Sequence, residues 1–121
     1  MSKTVLTVDD SRTMRDMLLL ALQDAGYTVI QAVDGVDGLE TLAAKGADVV
    51  ITDINMPRMD GFGFIEGLRA DPNHRTTPVL VLTTESDADK KARARAAGAT
   101  GWIVKPFDPV KLVDAVRRVA A

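Results

Sequence analysis

The residues of this 121-residue chain that could do chemistry fall at the ends of apolar runs. "TVLTVDD" closes on two adjacent carboxylates, Asp9 and Asp10; "DVVITD" closes on Asp53; "PVLVLTT" closes on Thr83 and Thr84; "GWIVKP" closes on Lys105 and Pro106. Taken singly, each has a plain explanation. Lysine before proline suits a solvated loop, threonine suits a turn, and aspartate suits a turn or the first turn of a helix. The adjacent pair is harder to dismiss, because like charges about 4 Å apart repel by roughly 4 kcal/mol at an effective dielectric near 20. Brought onto one rim, three aspartates and one lysine leave two negative charges, which one divalent cation neutralises. Oxygen donors in a chain without cysteine favour Mg²⁺ over zinc or copper. Such a cluster suits a phosphoryl group: the cation and the lysine hold its anionic oxygens while a carboxylate attacks phosphorus in line.

That chemistry depends on elements that bring the four ends together. Five short runs rich in Val and Ile lie at 4–8, 28–32, 48–52, 78–83 and 101–104. Several are nearly continuous rather than alternating, as expected of strands covered on both faces. Helical patterns lie between them. Met14, Met17, Leu18, Ala21, Leu22 and Ala25 follow helical spacing and are expected in the core, with Gly26 as the stop. A second helix spans 35–46. A third spans 60–72, with Asp60 as N-cap. The fourth, 86–98, places acids early and bases late, matching the macrodipole. The fifth, 108–120, opens on Asp-Pro and buries Leu112, Val113, Val116 and Val119.

Strand and helix alternate five times, which predicts an α/β fold: a doubly wound parallel sheet in the order 2-1-3-4-5, with helices on both faces. Ligands then sit beyond the carboxyl ends of the strands, near the switch between strands 1 and 3. The chain length suits one domain over 1–121 with no output domain. The formal net charge of -2 gives no basic field for nucleic acid, and no apolar run reaches membrane-spanning length. No signal peptide and no cysteine are present, so a cytoplasmic protein is expected.

With these residues in place, the sequence resembles the receiver domains of two-component response regulators, most of all the single-domain chemotaxis type, CheY. "VDDSRTMR", "ITDINMPRMDGF", "VLTTESD" and "GWIVKPF" carry the resemblance, which covers essentially the whole chain. Receivers of this type are among the folds from which the strand-order rule is drawn, so that order is not independent of the resemblance. The resemblance implies a flavodoxin-like fold and a phosphoacceptor rather than an enzyme. Asp53 takes the phosphoryl group. Asp9, Asp10, Asp53 and the backbone carbonyl of Asn55 hold Mg²⁺, with Asp10 the principal direct ligand. Thr83 and Lys105 contact the phosphoryl group, and the bond to Pro106 is cis. Asn55, Glu85 and Pro106 flank the site. The switch pair is Thr83 and Trp102; Tyr or Phe is usual at the latter position.

The implied phosphodonor is a histidine kinase of the chemotaxis type. The implied output is the surface of helix 4, strand 5 and helix 5, which meets the flagellar motor switch protein or another signalling protein. A phosphatase is a further implied partner. The alternative is a phosphate sink, and the chain is expected to act as a monomer. A Mg²⁺-dependent aspartyl-phosphate phosphohydrolase shares the chemistry, but such enzymes usually carry D-x-D where this chain reads Asp53-Ile54-Asn55. "GFGFIE" lacks the third glycine of a dinucleotide fingerprint and follows no first strand. The basic run "KKARAR" reads as a solvated helix face, and His74 reads as a surface residue of a polar loop. Helix 4 has no Leu, Ile, Val, Met or aromatic residue, so it is expected to be loosely held.

Overall fold

Strand pairing places the reactive residues. A computed structural model describes residues 3–120. The strands are β1 (Thr4–Val8), β2 (Thr28–Ala32), β3 (Val49–Thr52), β4 (Val79–Thr83) and β5 (Gly101–Val104). The helices are α1 (Arg12–Asp24), α2 (Gly35–Lys45), α3 (Gly61–Ala70), α4 (Ala88–Ala97) and α5 (Pro109–Ala120), with a 3-10 turn at Pro72–His74. All neighbouring strands are parallel, in the order β2-β1-β3-β4-β5. This is the doubly wound order expected from the sequence.

Alternation along the strands divides the core in two. Leu6, Val8, Val50, Val79 and Val81 pack with Phe64, Ile65, Leu68, Leu42 and Ala94 of α2, α3 and α4. Val5, Val49, Ile51, Leu80 and Leu82 pack with Leu18, Leu22, Leu112 and Val116 of α1 and α5. Both faces are therefore covered, which explains why the inner strands read as continuous apolar runs. None of the described helices is long and apolar enough to cross a membrane.

Three expectations fail. Val113 is only half-buried and stands outside the stripe that Leu112, Val116 and Val119 turn to the sheet. Met17 is exposed, because the α1 stripe that meets the sheet is narrow and centres on Leu18 and Leu22. His74 is buried rather than on the surface. The chain leaving α3 folds under it through the 3-10 turn. There His74 Nδ1 lies 2.9 Å from Thr77 Oγ1, and its carbonyl accepts a 2.8 Å bond from Arg69 Nη1. The loop's polar composition is satisfied internally, so it did not signal exposure.

Candidate functional site

The register of the sheet delivers the site. Val8 pairs with Thr52, and Thr83 pairs with Val104, so the next residues out of β1, β3 and β5 are Asp9, Asp53 and Lys105. The ladder continues one step onto the rim: Asp53 N–H donates to the Val8 carbonyl at 3.0 Å, and Lys105 N–H to the Thr83 carbonyl at 2.8 Å. The Lys105–Pro106 bond is cis, as in the family the sequence resembles.

Lys105 Nζ bridges the two buried carboxylates, 3.0 Å from Asp9 Oδ2 and 2.9 Å from Asp53 Oδ2. Their other oxygens meet backbone donors. Ser11 N–H donates to Asp9 Oδ1 at 2.9 Å, and Ile54 N–H to Asp53 Oδ1 at 2.6 Å. Arg15 ties down the strand end with a 2.7 Å bond to the Asp9 carbonyl. Burial pushes the Asp9 carboxyl above its ordinary range, and the bonds from Ser11 and Lys105 only partly offset it. Burial alone would lower Lys105, but its hydrogen bonds to Asp53 and Asp9 outweigh that and hold it above the ordinary lysine value.

Asp10 is exposed, and no donor bonds its carboxylate among the described residues. Asp9, Asp10 and Asp53 each offer an oxygen, all within 4.8 Å of one another. The donor set is all oxygen, partly buried, and only partly neutralised by Lys105, which leaves two negative charges. Those properties fit a hard divalent cation such as Mg²⁺.

Thr83 is fully buried, and its Oγ1 accepts from Glu85 N–H at 3.3 Å. Glu85 is a junction. Its carboxylate accepts from Asn55 Nδ2 at 3.1 Å and lies 3.1 Å from Lys90 Nζ; its carbonyl accepts from Trp102 Nε1 at 3.2 Å. Lys90 first and then Asn55 hold the Glu85 carboxyl below its ordinary range. The structure thus gathers Asp9, Asp10, Asp53, Asn55, Thr83, Glu85, Lys105 and Pro106 on one rim, with Trp102 tied to its edge.

Sequence reasoning missed a second acidic contact beside the site. Arg58 forks onto Asp34, Nε to Oδ2 at 2.7 Å and Nη2 to Oδ1 at 3.0 Å. The partners are 24 residues apart, and Asp34 is also the N-cap of α2. The available signal was an arginine in "NMPRMDG", next to a proline and far from any apolar stripe.

The sequence pattern of the family described as the response regulator receiver domain matches residues 5–117. The chain is 36% identical over 116 residues to the chemotaxis protein CheY of Pseudomonas aeruginosa, spanning 95% of this chain and 94% of that one. Among solved structures, the chemotaxis response regulator CheY4 of Vibrio cholerae superposes with a TM-score of 0.93 at 45% identity, covering 98% of this chain and 99% of that one. The receiver domain of a sensor histidine kinase from Pseudomonas aeruginosa, described with a magnesium ion coordinated in its active site cleft, shares the fold with a TM-score of 0.92 at 23% identity, covering 99% of this chain and 98% of that one.

Proposed function

Because the chain belongs to the response regulator receiver family, in its CheY type, we propose that it is a phosphorylation-controlled switch whose acceptor is Asp53. The observation that carries this reading is the shared lysine: one ammonium held between Asp53 and Asp9, beside three clustered carboxylates. The phosphodonor is a histidine kinase. An Asp53 oxygen attacks phosphorus, the phosphorus–nitrogen bond breaks, and the imidazole leaves with its electron pair.

Asp9, Asp10, Asp53 and the Asn55 carbonyl would hold Mg²⁺, which supplies charge neutralisation for the phosphoryl oxygens. Lys105 is placed to pair with a phosphoryl oxygen in exchange for one carboxylate contact. Thr83 presents a hydroxyl whose present bond, at 3.3 Å, is long and easily exchanged. Asn55 and Glu85 flank the site and are joined by a 3.1 Å hydrogen bond. They are placed to influence how the domain assists its own dephosphorylation.

The output surface is α4, β5 and α5, and the response is chemotactic, through a motor-switch protein or another signalling partner. A phosphate sink uses the same site without that surface. The test is labelling by acetyl phosphate or a cognate kinase. Asp53→Asn abolishes it while the amide spectrum stays folded. Undiminished labelling mapped to another residue overturns the assignment. Sustained turnover of an external phosphomonoester marks a hydrolase instead.

A further inference from the structure

Arg58 is the one non-glycine with positive φ among the described residues, at 63°. Met59 N–H donates back to the Pro57 carbonyl at 2.7 Å, closing a γ-turn with Arg58 at its centre. A positive-φ γ-turn disfavours a side chain, and such a conformation persists only where its surroundings over-determine it. Here the surroundings are the first turn of α2. Asp34, its N-cap, takes both prongs of the Arg58 guanidinium and also accepts Asp37 N–H at 2.9 Å. Asp37 returns the contact by accepting Val33 N–H at 2.9 Å. Gly35 N–H donates to the Met59 carbonyl at 3.1 Å, and a Cβ on Gly35 would meet that same oxygen at 2.7 Å.

The segment between β3 and α3 is therefore fixed at three points. Its ends are closed by Gly61 N–H on the Ile54 carbonyl at 2.8 Å, and a Cβ at Gly61 would collide with the Asp53 carbonyl. Its flank toward β4 is held by Asn55 on Glu85, and its flank toward α2 by Arg58 on Asp34. Asn55 makes the first of these ties and stands close in sequence to the second, so the direction of its carbonyl depends on both.

We propose that the Arg58–Asp34 fork is a positioning device for the cation: it holds the β3–α3 loop so that the Asn55 carbonyl faces the Asp9, Asp10 and Asp53 carboxylates. This rests on the Mg²⁺ reading above. Partners outside the coordination shell typically change metal affinity by about ten- to a hundredfold.

The test is a Mg²⁺ titration followed by backbone amide shifts in wild type, Arg58→Gly, Asp34→Asn and the double variant. Glycine accepts the positive φ, so Arg58→Gly removes the fork without backbone strain. Asparagine still caps α2, so Asp34→Asn removes the charge without removing the cap. Each single variant raises the Mg²⁺ dissociation constant about tenfold. The double variant raises it no further, because both changes remove one contact.

A purely structural fork would shift the urea midpoint and leave the dissociation constant within about twofold of wild type in both variants; that result overturns the inference. Additive losses in the double variant also overturn it. Asp10→Ala separates the two readings. If wild type binds Mg²⁺ and Asp10→Ala does not, the cation site stands whatever Arg58 does. If wild type fails to bind, the site reading falls and this inference with it.

Discussion

Two segments leave the same rim of the sheet and are held in opposite ways. The loop after β3 is closed at its ends and pinned on both flanks by Asn55–Glu85 and Arg58–Asp34. Helix α4, after β4, buries only Ala94. It also meets α3 through Arg93 over the Phe62 ring, 4.1 Å from the centroid. Its C-terminal end is better secured: Gly98, at φ 116°, offers its carbonyl to Arg69 Nη2 at 2.7 Å and Nε at 3.2 Å. Its N-terminal end has an exposed Asp87 cap and the Lys90–Glu85 pair. The lesson is a division of labour. The loop that would present a ligand atom is rigid, and the helix that would report binding is anchored at one end and soft at the other.

The largest test of that division strikes the rim. Asp10→Ala should raise the Mg²⁺ dissociation constant by more than about tenfold, the scale on which even outer partners matter. It should also raise the thermal midpoint in EDTA, because it relieves repulsion within the Asp9, Asp10 and Asp53 cluster. Amide exchange in α4 should stay as in wild type, measured in the same sample; faster α4 exchange would mean the two segments are not separable. Next in size is the anchor. Arg69→Ala removes two bonds to Gly98 and one to His74, at a cost of about 2 kcal/mol by urea unfolding. Exchange in α4 should accelerate more than in β1 or β3, with Mg²⁺ affinity unchanged. Uniform acceleration would show that α4 unfolds only with the whole domain.

What the sequence made legible follows from what is local. Strand and helix order, the cap at Asp60, and the four strand-end residues are written in periodicity and residue type. Once the order of the sheet is known, Asp9, Asp53 and Lys105 must share a rim. The thin packing of α4 was equally plain from its lack of large apolar side chains, and only Ala94 proved buried. Contacts between loops were not legible. Arg58 finds Asp34 because two loops meet above the sheet, and no spacing rule connects residues 58 and 34. His74 misled for a related reason: its partners Thr77 and Arg69 are near in sequence, yet only the fold of the turn reveals that they enclose it.

A smaller effect sharpens the rigid side of the comparison. The Arg58 fork, and then the Asp37 N–H bond, hold the Asp34 carboxyl below its ordinary range. A depressed carboxyl contributes stability that is complete above the unfolded value, about 3.9, and is lost as pH falls through the lower folded value. The stability gap between wild type and Asp34→Asn should therefore be flat from neutral pH down to about 5 and shrink below about 4. Urea unfolding across that range measures it. A gap that widens on acidification would mean that Asp34 gains nothing from Arg58 as a charged group.

The smallest expected change tests how the soft side is connected to the rim. Trp102 is half-buried against the core on the α4 face, and its indole N–H donates to the Glu85 carbonyl. Glu85 N–H in turn donates to Thr83 Oγ1. Drawing the Thr83 hydroxyl toward a phosphoryl group releases Glu85 N–H, and the shift of Glu85 moves the acceptor that holds Trp102. Neither bond is short, at 3.3 and 3.2 Å, so breaking the pair costs little and a modest bias can move it. Trp102→Phe keeps an aromatic ring and deletes the donor. It should change stability by less than about 1 kcal/mol and leave phosphorylation at Asp53 unchanged. Its effect should appear in the coupling. Beryllofluoride, a phosphoryl mimic, should alter α4 amide exchange in wild type and alter it less in Trp102→Phe and in Thr83→Ala. Equal responses in all three proteins would show that α4 follows the acceptor site by another route, with the indole serving only to pack the edge strand.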